Sequence, residues 1–252
     1  MKLRVEGLAF AYDDFRLEIG SLLFDAGRVT SIVGPNGAGK STFLKCLALI
    51  LPVPRGALFV DGKDLAGLRG RDRARLVGYV PQEPAFTFNY LVLDFILTGR
   101  AAFLPAFSSP SAHDVRLAEE ALHFVGLNGH AHRPFLELSS GERRLVLMAR
   151  ALVQESAILL LDEPTSFLDP RHEVGILSLC RRLAEEKGKT IIVTLHNLEM
   201  AAKHSDAMIF MKGGRVVASG PPAEILSESL LRDVYDLEMK IVECAGQMFF
   251  VK

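Results

Sequence analysis

Gly34-Pro35-Asn36-Gly37-Ala38-Gly39-Lys40-Ser41-Thr42 decides how the whole chain is read. Gly34 and Gly39, with four residues between them and Lys-Ser following, form the phosphate-loop pattern. Val29-Thr-Ser-Ile-Val33 leads in as a buried strand, and Phe43, Leu44, Leu47, Ala48, Ile50 and Leu51 lead out in helical spacing. The glycines, Gly37 included, let the backbone turn tightly and bring successive N–H groups toward an anion. The start of the following helix adds its positive dipole end and unpaired donors. Lys40 would reach the β- and γ-phosphates, and the Ser41 hydroxyl would be a ligand of Mg²⁺. A glycine-rich turn without a ligand is the plain alternative, but strand, loop and helix in this order argue for a nucleoside triphosphate.

Working outward, three more stretches end where ligands bind on an α/β sheet, and a fourth opens a helix. Ala157-Ile-Leu-Leu-Leu-Asp-Glu-Pro164 is an unbroken apolar strand closing on Asp162 and Glu163. Such strands suit a parallel sheet covered on both faces. Asp162 would hold Mg²⁺ directly or through water, and Glu163 would polarise an attacking water as general base. Val77 to Val80 is a short strand ending at Pro81-Gln82, whose amide suits contact with Mg²⁺ or that water. Thr190 to Leu195 is another buried strand ending at His196, either a structural histidine or a donor to a γ-phosphate oxygen. Strand ends at Gly34, Gln82, Asp162, Glu163 and His196 should converge on one sheet edge. Ser139-Ser140-Gly141-Glu142 has capping-box spacing and opens a helix with Leu145, Met148, Ala149 and Leu152 on one face. It is either a well-capped helix or a second anion site. Two anion sites with one phosphate loop suggest that each chain lends its capped helix to another's nucleotide.

The rest of the chain frames these motifs. Lys2 to Asp25 alternates apolar and polar residues and reads as a small antiparallel sheet. Tyr12, placed in a turn of that sheet, is either an edge aromatic or a platform for an adenine ring. Arg69 to Arg75 is a basic run on a solvated face. From residue 86 to 154 the pattern is helical, with a capping box at Ser111–Asp114 and a stop at Gly126. Its aromatics, Phe86, Phe88, Tyr90, Phe103 and Phe107, are either core or a docking surface. Gly213-Gly214 joins two strands as a hairpin. The last stretch, 227–252, suggests a strand pair around Gly246, drawing on Val234, Tyr235 and the apolar residues after them. It is a regulatory appendage or packs on the core. The expected fold is α/β, with a mainly parallel sheet, an N-terminal antiparallel β-subdomain and an inserted α-helical subdomain. Core and β-subdomain would span about 1–85 and 155–226.

Composition sets limits. The 252 residues are 49% hydrophobic, enough for one large core, and no apolar run reaches the roughly 18 residues of a membrane span. Twenty-nine basic against thirty acidic residues give a net charge of −1, which argues against a nucleic-acid partner. No secretory signal pattern opens the chain. Cys46, Cys180 and Cys244 lack metal or dithiol spacing and fit a reducing cytoplasm.

In their order and spacing, the phosphate loop, Gln82, Ser139–Glu142, Asp162-Glu163, Leu168-Asp169 and His196 resemble the motifs of ATP-binding-cassette ATPases. The resemblance runs from Met1 to about Leu226. It implies ATP and Mg²⁺ as cofactors and a head-to-tail dimer enclosing two ATPs. It places Ser139, Ser140, Gly141, Glu142 and Asp169 on the partner's side of each nucleotide, with Ser139 and Gly141 at its γ-phosphate. Asp169 would also carry communication between the sites, Tyr12 would stack on adenine, and Gln82 would form the hinge to the helical subdomain that grips an integral membrane permease. A substrate-binding protein would take part indirectly, and the chain would sit on the cytoplasmic face of the membrane. Tyr79-Val-Pro-Gln-Glu-Pro84, Leu97-Thr-Gly-Arg100, Pro164-Thr-Ser166 and Glu142 to Leu152 are similar to importer ATPases for iron–siderophores, haem and cobalamin. Importers of molybdate, tungstate or divalent metals differ little here. A soluble, non-transport ATPase fits less well with one cassette and near-neutral charge, and a non-hydrolysing module fits poorly with Glu163, Gln82 and His196 present. Three positions depart from the family: Ser140 where Gly is usual, Arg144 where Gln is common, and Phe167 where smaller residues stand. If position 140 takes positive φ, Ser would cost about 1 kcal/mol there.

Overall fold

The computed structural model describes residues 1–82, 89–105, 108–244 and 247–251. Two long strands, β1 (Leu3–Tyr12) and β2 (Phe15–Phe24), pair antiparallel from Leu3↔Phe24 to Tyr12↔Phe15. Tyr12 is thus the last residue of a strand, and the turn proper is Asp13-Asp14. β3 (Val29–Val33), buried throughout, feeds the phosphate loop and α1 (Lys40–Leu47). Then follow β4 (Leu58–Val60), β5 (Lys63–Asp64), α2 (Gly70–Leu76) and β6 (Val77–Val80). The basic run lies on α2, which buries none of its residues.

Helices α3 (Val92–Leu97), α4 (Ala112–Phe124) and α5 (Ser140–Leu152) come next and pack on one another. β7 (Ile158–Leu161), α6 (Pro170–Lys187), β8 (Thr190–Thr194) and α7 (Leu198–His204) complete the alternation. β9 (Ala207–Lys212) and β10 (Arg215–Gly220) form the hairpin on Gly213-Gly214. The chain continues through α8 (Pro222–Ile225) and α9 (Glu228–Tyr235) into the paired strands β11 (Lys240–Cys244) and β12 (Gln247–Val251).

Ten strands make one sheet in the order β5-β4-β1-β2-β10-β9-β3-β8-β7-β6. β9, β3, β8, β7 and β6 run parallel; β5, β4, β1 and β2 are antiparallel. The antiparallel end is not a detached sheet, but its join is slight: β10 meets β2 at one residue pair, Arg215↔Glu18. Successive residues of the apolar strands serve opposite faces. Ile158 and Leu160 join α1 and the antiparallel strands in one core, while Leu159 and Leu161 join α3 to α7 and α9 in the other. That is why β7 reads as an apolar run rather than an alternation.

Two expectations need correction. Val234 and Tyr235 belong to helix α9, which Ser227 caps, so the terminal strand pair begins only at Lys240. Leu231 and Val234 are fully buried, so this segment packs on the core. α5 does not bury a single stripe: Leu145 and Leu152 are half-buried, while Val146, Leu147, Met148, Ala149 and Ala151 are all buried. It is covered by α3, α4 and β6 together, so more than one face turns inward. Phe103 is half-buried between guanidinium groups, 4.0 Å from Arg100 and 4.9 Å from Arg75, which favours packing over docking. Phe86, Phe88 and Phe107 lie outside the described residues. Cys46 and Cys180 are core residues whose thiols burial pushes up to about 12.

Candidate nucleotide site

The phosphate loop is held by close backbone packing. A Cβ on Gly34 (φ 153°) would lie 2.2 Å from the Met211 carbonyl oxygen, and one on Gly39 (φ 97°) 2.6 Å from the Phe15 ring. Neither position tolerates a side chain. Behind the loop, the Gly214 N–H donates to the Ala38 carbonyl at 3.0 Å, tying it to the β9–β10 hairpin. Phe15 is paired with Tyr12 across the β1–β2 turn, so Tyr12, 66% exposed, stands on the loop's side of that hairpin. Lys40 is buried and its ammonium donates to the carbonyls of Gly34 (2.8 Å) and Pro35 (3.0 Å). Burial lowers its pKa, against the opposing pull of Glu163 and Asp162.

Asp162 lies one residue beyond β7, 3% exposed. Its Oδ1 accepts from Ser41 Oγ (2.8 Å) and Thr194 Oγ1 (2.9 Å), and its Oδ2 from the Tyr79 hydroxyl (3.0 Å). Burial, then the Asp162 carboxylate, raises the Tyr79 pKa, so the phenol stays a donor. Ser41 and Asp162 fit Mg²⁺. Both offer hard oxygen ligands, and a buried carboxylate met by hydroxyl dipoles gains strongly from a cation beside it.

Glu163 follows with φ 45°, a left-handed backbone at a non-glycine residue. Its backbone N–H donates to Thr194 Oγ1 at 2.7 Å. Its carboxylate gathers three partners: Gln82 Nε2 at 2.5 Å, His196 Nε2 at 2.6 Å and Ser166 Oγ at 3.0 Å. Strained backbone of this kind collects at functional sites, where surrounding contacts over-determine it. The carboxylate so held lies beside a groove of about 300 Å³ lined by Glu163, Ser166, Phe167 and His196.

Thus the structure brings Lys40, Ser41, Gln82, Asp162, Glu163 and His196 together at one edge of the parallel strands. It also adds three residues that the sequence reading did not single out for a role. Thr194 had a weak signal, a hydroxyl at the end of an apolar strand just before His196. Ser166 and Tyr79 had none beyond family likeness.

Ser139 to Glu142 form a separate feature. Ser139 Oγ accepts from the Glu142 N–H (3.3 Å), and Glu142 Oε2 accepts from the Ser139 N–H and hydroxyl (both 2.8 Å). Those two bonds hold the Glu142 carboxyl below its usual range. Among the described residues no hydrogen bond or ion pair joins this turn to the phosphate loop of its own chain. Asp169, the N-cap of α6, is likewise engaged with His172 instead. Ser140 is the first residue of α5 and does not take positive φ, so the expected strain there does not arise. It falls on Phe167, at φ 63° and 85% exposed. Buried Arg144 donates to the Pro81 carbonyl at 3.2 Å, next to Gln82.

Residues 17–166 match the ABC transporter family. The iron(3+)-hydroxamate import ATP-binding protein of Bacillus subtilis is 35% identical, covering 95% of this chain and 90% of that protein. The hemin import ATP-binding protein of Streptomyces coelicolor is 38% identical over 86% of this chain and 76% of its own. A solved inward-facing structure described as of the metal-chelate type of ABC transporter superposes with a TM-score of 0.85 at 30% identity, over 99% of this chain and 95% of that one. A dimeric bacterial ABC transporter cassette gives 0.74 at 25% identity, over 87% and 98%. Among the described residues no helix is long and apolar enough to cross a membrane. This chain belongs to the ABC transporter family, and it is one of that family's nucleotide-binding ATPases.

Proposed function

We propose that the chain is the energy-coupling ATPase of an importer, acting as a head-to-tail dimer beneath a membrane permease that carries a metal chelate such as an iron–siderophore or haem. The observation carrying this reading is the meeting of Gln82, Glu163 and His196 beside Ser41 and Asp162, while the capped turn at Ser139 makes no hydrogen bond or ion pair to that cluster among the described residues. The site is therefore half of a site, complete only when another copy supplies Ser139 to Glu142. The dimeric cassette among the structural relatives supports the arrangement, and the names of the import relatives support the cargo.

In this reading Mg²⁺ neutralises phosphate charge when bound with ATP. The Gly34–Thr42 loop holds the phosphates, Lys40 turns its ammonium from the loop carbonyls to them, and Ser41 and Asp162 hold the metal. Glu163 accepts the proton of the attacking water. His196 fixes one of its oxygens and Gln82 with Ser166 the other, so loss of the Gln82 contact would loosen the base. Tyr12 carries the adenine. Gln82 sits where α3, α4 and α5 join the sheet, and residues 86–154 form the lobe that follows its movement and bears on the permease. The chain is then peripheral, held at the membrane by the permease.

The test is reconstitution with permeases of metal-chelate importers in proteoliposomes, scoring ATP-dependent uptake of ferric hydroxamate and of haem. One of the two should accumulate, and Glu163→Gln should stop uptake while retaining ATP and forming an ATP-dependent dimer. Uptake of neither chelate would overturn the cargo. Full hydrolysis by Glu163→Gln would overturn the base.

A further inference from the structure

Asp169 and Gly141 lie in different elements, yet both meet one residue, His172, in the first turn of α6. Asp169 Oδ1 accepts the His172 backbone N–H at 3.0 Å, and Oδ2 accepts the ring N–H at Nδ1 at 2.6 Å. One residue thus occupies both oxygens of that carboxylate. The far edge of the same ring lies against Gly141: a Cβ there would fall 2.5 Å from Cδ2 and 2.9 Å from Nε2 of His172. A side chain at position 141 would have to push the ring off its bond to Asp169. Gly141 is the second residue of α5, inside the turn that Ser139 and Glu142 cap. A rigid, planar imidazole, its side chain 42% exposed, therefore bridges the N-terminus of α5 and the end of the loop that leaves Glu163.

That loop is short and strained. Ser166 Oγ bonds Glu163 Oε2 at 3.0 Å, and Phe167, at φ 63°, sits between Ser166 and the Leu168-Asp169 cap. Packed contacts of this kind shift between discrete arrangements rather than deform smoothly. A displacement of the α5 N-terminus toward α6 must push the ring with it or break the bond to Asp169.

We propose that His172 is a positioning residue that couples the capped turn of α5 to Asp169, so that binding of that turn to a second copy's nucleotide adjusts Glu163 in its own site. The inference rests on the dimer reading above. The link itself lies within one chain, and it runs through a residue that touches no nucleotide in that reading.

The experiment measures initial hydrolysis rates of the full chain against Mg-ATP concentration for the parent protein, His172→Ala and His172→Asn. It adds nucleotide affinity at protein concentrations too low for dimers, and thermal unfolding. The parent should be sigmoidal. His172→Ala should lose the sigmoid and at least about fivefold in kcat, a coupling of the usual allosteric size, with monomer ATP affinity unchanged. His172→Asn keeps an N–H donor for Asp169 but no ring edge for Gly141; it should restore stability and not cooperativity. A purely structural histidine would move the unfolding temperature and leave the sigmoid intact, and that result, with a sigmoidal parent, overturns the link alone. A hyperbolic parent together with a Glu163→Gln chain that stays monomeric in ATP overturns the dimer reading, and the link with it.

Discussion

Asp162 shows how single side chains set this site. Its two oxygens take three hydroxyl donors, and only the Tyr79 hydroxyl serves Oδ2 among the hydrogen bonds of the described residues. Hydrogen bonds to charged groups contribute about 2 kcal/mol. Tyr79→Phe should therefore lower stability by about that amount in urea titration, and an unchanged midpoint would remove Tyr79 from the carboxylate's support. Much of this level was legible in advance. The meeting of Lys40, Ser41, Asp162 and Glu163 at one sheet edge follows from the sequence, because each lies at or just beyond the end of an apolar strand or in the loop that leaves one. Tyr79 and Thr194 were not legible as partners, because a buried carboxylate recruits whatever hydroxyl the neighbouring strands present. Ser140 shows the reverse. The family pattern suggested a glycine backbone there, but an N-capped helix start accepts any residue with helical φ.

Helix elements are pinned by a few buried polar contacts. Arg100, 5% exposed, bonds Asp114 at 2.8 Å, the Val153 carbonyl at 2.7 Å and Glu155 at 2.6 Å, joining the end of α3, the start of α4 and the segment after α5. Removing one partner of a buried pair leaves a charge without compensation. Arg100→Ala should cost about 3–5 kcal/mol, read as a fall in the unfolding midpoint without loss of phosphate-loop geometry. Asp114 adds a pH signature. The Ser111 hydroxyl and backbone N–H, then Arg100, lower its pKa to about 2 from 3.8. A carboxyl with a depressed folded pKa stabilises the protein above its unfolded value and loses that contribution as pH falls through the folded one. Stability should thus decline between about pH 4 and pH 2, and Asp114→Asn should remove that component of the slope. The capping box at Ser111–Asp114 was plain in the sequence, since it is local. Arg100 was not, because its partners come from positions 14, 53 and 55 residues away.

At the scale of the molecule, the chain's last segment is part of the core rather than a tail. α9 buries Leu231 and Val234 in the cluster that holds Val33 and Phe210, and Lys212 bonds Asp236 at 2.8 Å. Each such apolar side chain contributes about 2 kcal/mol on burial. Ending the chain at Leu226 should lower stability by about 4 kcal/mol or more; an unchanged denaturation curve would make this segment an appendage after all.

Sequence alone determined the strand–loop–helix unit, the ends of β7 and β8, the caps of α4 and α5, and the family, because these are written in neighbouring residues and fixed spacings. Tertiary structure alone decided that Gln82 and His196 bond opposite oxygens of Glu163, that β1 and β2 join the parallel strands through a single residue pair, and that His172 stands between Gly141 and Asp169. Those facts depend on which distant segments pack together. Strand order and close backbone approach set that packing, and no local pattern encodes either.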